Sequence, residues 1–317
     1  MNLGSFAEIS SELVAIPRTM RLPHLLQTSP VAQHRHNLRC ILLALQHFGH
    51  MRHRELSRLV WPTASDAVRE TSASRLLKRL RDEGYLVRCI NSVGSYSYVL
   101  GKRGAKEVSN LLNIPVFDGT RISGVQGRDV FHRTLGTAWL VEQLVAGREV
   151  MSEFAINSLG GDITRSALFE QWSRTPDGLV LHEVRDEAGR FLHYNVDWLE
   201  IEASYKARAH REKMMDVAWS VGRQLLPKSP YYLDRVVFLF EKGSAHKAAL
   251  VRSASEKLEA TKQVVDDPES LLRSIALVEV DASPPLTIQG FTETDLYACM
   301  RRKQGALADL KTVKHAL

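Results

Sequence analysis

Apolar positions between residues 34 and 112 recur in a run of short amphipathic segments. From His34 to Phe48, Leu38, Ile41, Leu42, Leu45 and Phe48 fall on one face, which predicts a helix that Gly49 ends. Arg52–Val60 predicts a second, shorter helix with Leu56, Leu59 and Val60 inward, closed by Trp61 and Pro62. Thr71–Glu83, TSASRLLKRLRDE, predicts a third. Its Ala73, Leu76, Leu77 and Leu80 make a narrow buried stripe, while Ser72, Ser74, Arg75, Lys78, Arg79 and Arg81 fall largely off it. Thr71 or Ser72 is placed to cap this helix and Gly84 to stop it. Tyr85–Ile90 and Tyr96–Leu100 then read as two strands around a polar turn, Asn91–Ser95, and Ala105–Leu112 as a further helix.

The rest of the chain is patterned differently. Residues 1–33 carry Pro17, Pro23 and Pro30 and read as an arm. Pro115–Gly127, rich in Gly and polar residues, reads as a linker. Beyond it the pattern predicts a helix at Asp129–Val145, strands at Val150–Ile156, Gly178–Val184 and Phe191–Glu202, and a helix at Ala207–Leu226. A strand at Leu233–Phe240, a helix at Ser244–Ala260, a strand at Ile275–Val280 and a helix from Thr294 to about Val313 complete it. The expected division is an arm (1–33), a helical unit with a hairpin (34–114), a linker (115–127), a mixed α/β unit (128–290) and a C-terminal helix (291–317). The fold class is therefore α+β, with the mixed sheet layered by helices.

Composition changes this picture in one respect. A hydrophobic share of 44% and a charged share of 25% are those of a soluble globular protein. No apolar run is long enough to span a bilayer and the first residues lack a signal layout, so a cytoplasmic protein with no membrane partner is expected. Cys40, Cys89 and Cys299 are odd in number and far apart, which argues against a disulfide framework or zinc ribbon. The net charge of +6 is not evenly spread. Residues 34–108 hold 14 Lys and Arg against 6 Asp and Glu, a balance of +8, and the remainder is −2. Localised positive charge is the footprint of a polyanion-binding face. His34, His36, His47, His50 and His53 lie in the same stretch without a cysteine or carboxylate spaced to complete a metal site.

Three helices followed by a two-stranded hairpin is the order of a winged helix-turn-helix, with Thr71–Glu83 as the helix that enters the major groove. The stretch RLLKRLRDEGYLVR…YVLGKRGAKEV resembles winged-helix domains of bacterial regulators over about 75 residues. Ser72, Ser74, Arg75, Lys78 and Arg79 are the candidates for base edges or flanking phosphates, since the arginine fork matches guanine O6 and N7. Arg81, Arg88, Lys102 and Arg103 are candidates for phosphates, which position the protein without reading sequence. The expected partner is double-stranded DNA, bound by a homodimer because one helix gives limited affinity.

A second group of residues carries candidate chemistry. Pro176-Asp177-Gly178 opens a strand, and Glu200 and Glu202, two apart on a later strand, share a face opposite Leu199 and Ile201. Carboxylates at strand ends hold divalent cations that activate water, and Glu153 is placed to join Asp177 and Glu200 as a metal ligand. The layout resembles the PD-(D/E)XK, or restriction-endonuclease-like, fold, which implies Asp177, Glu200, Glu202 and Lys206 as catalytic residues and Mg²⁺ as cofactor. It departs from that pattern where a lysine is expected and Glu202 stands, with Lys206 as the substitute amine.

The two halves together resemble the replication-relaxation family of plasmid and mobile-element proteins. The matching residues are His132, Glu153, Pro176-Asp177-Gly178 and Leu199-Glu200-Ile201-Glu202. The resemblance implies a sequence-selective DNA-binding accessory protein in plasmid replication or transfer, or in transposon recombination. It would work beside a recombinase or replication protein, with no cofactor and with the nuclease-like domain used for dimerisation or partner contact. The alternatives are a Mg²⁺-dependent endonuclease targeted by the winged helix and a winged-helix transcriptional repressor.

Overall fold

The computed structural model describes residue 20 and residues 29–90, 96–119, 130–202, 208–261, 267–283 and 287–301. It is a mixed α+β protein in two compact units. One comprises Met1–Val130 with Leu140–Thr164, the other Phe131–Trp139 with Arg165–Leu317. Among the described residues no helix is long and apolar enough to cross a membrane.

The first unit opens with α1 (Pro30–Phe48). It starts four residues before the predicted His34, because Pro30 is tolerated in the first turn and the Ser29 hydroxyl accepts from Ala32 N at 3.1 Å. Cys40, Ile41, Leu42, Ala44, Leu45 and Phe48 are buried along its inner face. A two-residue strand, β1 (Met51–Arg52), leads into α2 (His53–Val60). At that junction the buried Glu55 carboxylate accepts from Arg52 N at 3.1 Å and pairs with the Arg52 guanidinium.

Helix α3 spans Asp66–Asp82, so it begins five residues before Thr71. Thr71 and Ser72 are not its cap. Ser65, with an extended backbone, is the N-cap, and the Thr71 hydroxyl donates to Ala67 O at 2.9 Å from inside the helix. The stripe is as predicted: Ala73, Leu76, Leu77 and Leu80 are buried. Gly84, at φ 79°, ends the helix, and Tyr85 N reaches back to Leu80 O at 2.8 Å. Strands β2 (Leu86–Ile90) and β3 (Tyr96–Leu100) pair antiparallel, with the expected turn outside the described residues. Strand β1 adds to the far side of β3 through Met51 opposite Tyr98, giving the order β1-β3-β2.

Helix α4 (Lys102–Leu112) is seated against the α3–β2 corner. A Cβ on Gly104 would lie 2.2 Å from Tyr85 O, and one on Gly101 2.6 Å from Gly84 O. Both glycines are therefore demanded by close backbone approach. Gly104→Ala is expected to cost roughly 1–3 kcal/mol through this overlap. It should be read as a lower urea midpoint at unchanged m; an unchanged midpoint would mean that α4 does not lie on Tyr85.

Residues 140–164 belong to this unit rather than to the expected second domain. Strand β4 (Glu149–Ser152) is held there by the Ser152 hydroxyl on His47 O and by a backbone pair between Val150 and Met20, a buried residue of the predicted arm. The strand expected at Val150–Ile156 stops at Ser152. The Ser152 hydroxyl accepts from Ala155 N at 3.1 Å and starts α6 (Glu153–Ser158), following α5 (Val130–Val145) in the chain.

In the second unit, five strands are hydrogen-bonded in the order β5 (Gly178–Arg185), β6 (Phe191–Ile201), β7 (Tyr231–Glu241), β8 (Ile275–Ser283) and β9 (Thr287–Asp295). β5 and β6 form an antiparallel hairpin. β6, β7 and β8 run parallel, and β9 returns antiparallel. The parallel pairs require crossovers, supplied by α8 (Arg208–Ala218) and by α9 (Ala245–Thr261) with α10 (Pro268–Arg273). Helix α7 (Arg165–Trp172) precedes the sheet. Val236–Phe240 on central β7 are all buried, as a strand covered on both faces must be.

Two expectations fail here. The helix foreseen at Ala207–Leu226 ends at Ala218. Gly222, at φ 89°, donates to Leu233 O at 2.7 Å and turns the chain back onto β7. The boundary at 290/291 cuts through β9, where Thr292 pairs with Glu279 and Thr294 with Leu277. The helical turn foreseen at Thr294 starts after Asp295, which accepts from Ala298 N at 2.6 Å.

Candidate functional site

Helix α3 presents its polar side as a connected surface. Opposite the buried stripe, Thr71, Ser74, Arg75, Lys78 and Arg79 are exposed, and Ser72 is half-buried. Arg75 makes no hydrogen bond or ion pair among the described residues. The neighbouring cations are loosely held by the helix's own acids: Lys78 Nζ lies 3.4 Å from Asp82, Arg79 Nε 3.8 Å from Glu83 and Arg81 Nη2 2.9 Å from Asp82. Exposed pairs of this kind exchange readily for another anion. The Arg81 hydrogen bond comes first among the causes that hold the Asp82 carboxyl below its usual range.

Histidines from α1 and α2 brace this helix. His34 meets the Arg79 guanidinium; burial first, then that charge, lowers its pKa. His53 lies 3.2 Å from the Ser74 hydroxyl and 3.2 Å from the Glu70 carboxylate. The histidine cluster thus disperses into separate contacts, with His36 beside Cys40 and His47 on Ser152. On the hairpin, Arg88 is exposed over the Tyr96 ring at 4.2 Å. At the start of α4, Lys102 is exposed and Arg103 lies over Tyr85 at 4.3 Å. Asn91 and Ser92, expected at the wing tip, lie outside the described residues.

Asp177 and Glu200 are engaged by partners within the fold. Asp177 N donates to Leu199 O at 2.9 Å and its Oδ2 accepts from Ile201 N at 2.7 Å, so it ties the start of β5 to the end of β6. His132 Nε2 lies 3.0 Å from its other oxygen. Glu200 and Leu199 take opposite faces of β6, as the alternation requires. A Cβ on Gly136 would meet Ile201 and Leu199, whereas Glu200 turns to Trp198 and Arg174. Glu200 is 1% exposed, receives the Trp198 indole N–H at 2.7 Å and forms a two-pronged pair with Arg174, whose Nε approaches to 2.6 Å. Burial works against the Arg174 charge, and the Glu200 hydrogen bonds and charge more than restore it, raising its pKa. Trp172 meets Trp198 edge-on at 6.1 Å.

These residues do not fit a divalent metal. The Glu200 oxygens face a guanidinium and an indole, and Asp177 is bound to a backbone N–H and an imidazole. Glu202 is buried at the strand end. Glu153, expected on a strand, lies in the first turn of α6. Lys206 lies outside the described residues. Among the described residues no three His, Cys, Asp or Glu side chains gather as a metal site needs.

Two features escape the sequence pattern. The first is the N-terminal turn of α3, with Val68 left 54% exposed; Ser65-Asp66 after Pro62 was the available signal for it. The second is a polar network across the sheet. Buried Asp197 accepts from Arg235 at 2.8 Å and lies 3.1 Å from His182, while Arg235 also reaches Glu293 at 2.8 Å. Burial opposes the Asp197 charge, but the His182 and Arg235 bonds prevail and lower its pKa. A comparison with protein-family models and with curated proteins finds no match for this chain.

Proposed function

We propose that the first unit is a winged helix-turn-helix that binds double-stranded DNA through α3 in the major groove. The second unit, in this reading, is a PD-(D/E)XK-like scaffold that does not cleave. The observation that carries the reading is the exposed face of α3, centred on an unengaged Arg75 and flanked by Lys78 and Arg79. The order of three helices and a hairpin, the third strand closing on β3, and the local charge of +8 support it. A helix with one buried stripe and one cationic face is what groove entry and phosphate neutralisation require. The committed partners of Asp177 and Glu200 favour a structural use of the second unit, as a dimer contact or a seat for a recombinase or replication protein. The resemblance of His132, Glu153, Pro176-Asp177-Gly178 and Leu199-Glu200-Ile201-Glu202 to mobile-element proteins supports a role in replication, transfer or recombination of such an element.

The test is an electrophoretic shift on duplexes selected from a random pool by the full chain. Arg75→Ala with Lys78→Ala is expected to lower specific affinity about 100-fold or more, since a bidentate base contact alone is worth about 10–100-fold. The exposed positions should leave the circular dichroism spectrum unchanged. Unaltered specific affinity in this double variant would overturn the assignment of α3.

A further inference from the structure

The early start of α3 adds a turn and a half of helix to the face that the sequence pattern had cut short, and this turn has its own chemistry. Val68, Thr71, Arg75 and Lys78 follow one another at spacings of three, four and three, so they form a single stripe opposite Ala73, Leu76, Leu77 and Leu80. Val68 is the one large apolar side chain that α3 leaves exposed, at 54%. A β-branched residue there gains little from burial and is a poor helix former. The Thr71 hydroxyl is spent on Ala67 O at 2.9 Å, which leaves its γ-methyl as the group offered outward. The stripe therefore presents two apolar tips followed by two cations.

We infer that Val68 and the Thr71 methyl read the C5-methyl groups of thymines, beside a guanine read by Arg75. Apolar contact with that methyl distinguishes thymine in the major groove, where no other base carries one. This inference rests on the winged-helix reading of α3 and specifies its substrate: a duplex site with one or two thymines close to a guanine. Seven residues separate Val68 from Arg75, about 10 Å of helix rise. At a base-pair rise of about 3.4 Å, that spacing places the thymines within about three base pairs of the guanine.

Uracil substitution tests it, because it removes the methyl and keeps every hydrogen-bonding group. With duplexes selected by the full chain, replacing each thymine in turn by uracil is expected to weaken binding about fourfold at one or two positions near the guanine, the worth of one buried methyl. Val68→Ala or Thr71→Ser should bind the thymine duplex correspondingly less well and be indifferent to uracil at the matching position. If Arg75→Ala abolishes selectivity while uracil is neutral at every position and Val68→Ala binds as the parent does, thymine reading is overturned and the winged-helix assignment stands. If no duplex is selected, or Arg75→Ala changes nothing, both fall.

Discussion

Arg174→Ala is expected to destabilise the second unit by about 3–5 kcal/mol, the usual cost of removing one partner of a buried ion pair. The side chains of Arg174 and Glu200 are 10% and 2% exposed, so the Glu200 charge is compensated chiefly by the guanidinium rather than by water. The indole N–H of Trp198 remains beside a carboxylate whose charge is then uncompensated. Trp198 donates to Glu200 and meets Trp172 edge-on, which makes tryptophan fluorescence a readout of urea unfolding here. The double variant Arg174→Met/Glu200→Leu should recover much of the loss, because the stranded charge disappears with its partner. A metal-binding Glu200 would behave in the opposite way: Arg174→Ala would leave stability intact and increase affinity for Mg²⁺. That pattern in unfolding curves with and without the ion would restore the hydrolytic reading.

The contrast between the two units shows what periodicity carries. In α3 the buried positions were legible because one stripe faces one neighbour, and Ala73, Leu76, Leu77 and Leu80 announce it by spacing alone. Its start was missed because Asp66-Ala67-Val68 adds no buried apolar residue to the stripe, so the Ser65-Asp66 cap signal stood apart from the periodicity. Strand β4 was legible to Ser152, where a single hydroxyl turns the chain into α6, and a run of apolar residues does not encode that switch. Strand β9 was missed because TIQGFTETD is largely polar, with Ile288 as its buried anchor. The carboxylates illustrate the deeper limit. Alternation placed Glu200 on one face correctly, but what a carboxylate does there depends on Arg174, 26 residues away in the chain. The same holds for Asp197, whose partners His182 and Arg235 come from two other strands whose register is set by the whole sheet.

Acid should unfold the first unit through His47. Its imidazole is buried, and burial lowers its pKa from 6.5 to about 3. The geometry demands the neutral form: Nε2 accepts from Ser152 N at 3.0 Å, and a proton on that nitrogen would set two N–H groups against each other. The Ser152 hydroxyl on His47 O holds the same junction between α1 and β4. Between pH 6.5 and about 3 the unfolded chain therefore binds a proton that the folded chain refuses. Stability is present in full above pH 6.5 and falls as the pH drops through that window, by about 1.4 kcal/mol per unit and on the order of 4–5 kcal/mol in all. His47→Gln retains an acceptor for Ser152 N and has nothing to titrate. Urea unfolding of both proteins at several values between pH 7.5 and 4.5 isolates the effect, since the carboxylates common to both cancel in the difference. The parent should lose its advantage over His47→Gln steadily below pH 6.5; a difference constant with pH would show that His47 accepts its proton in the folded unit.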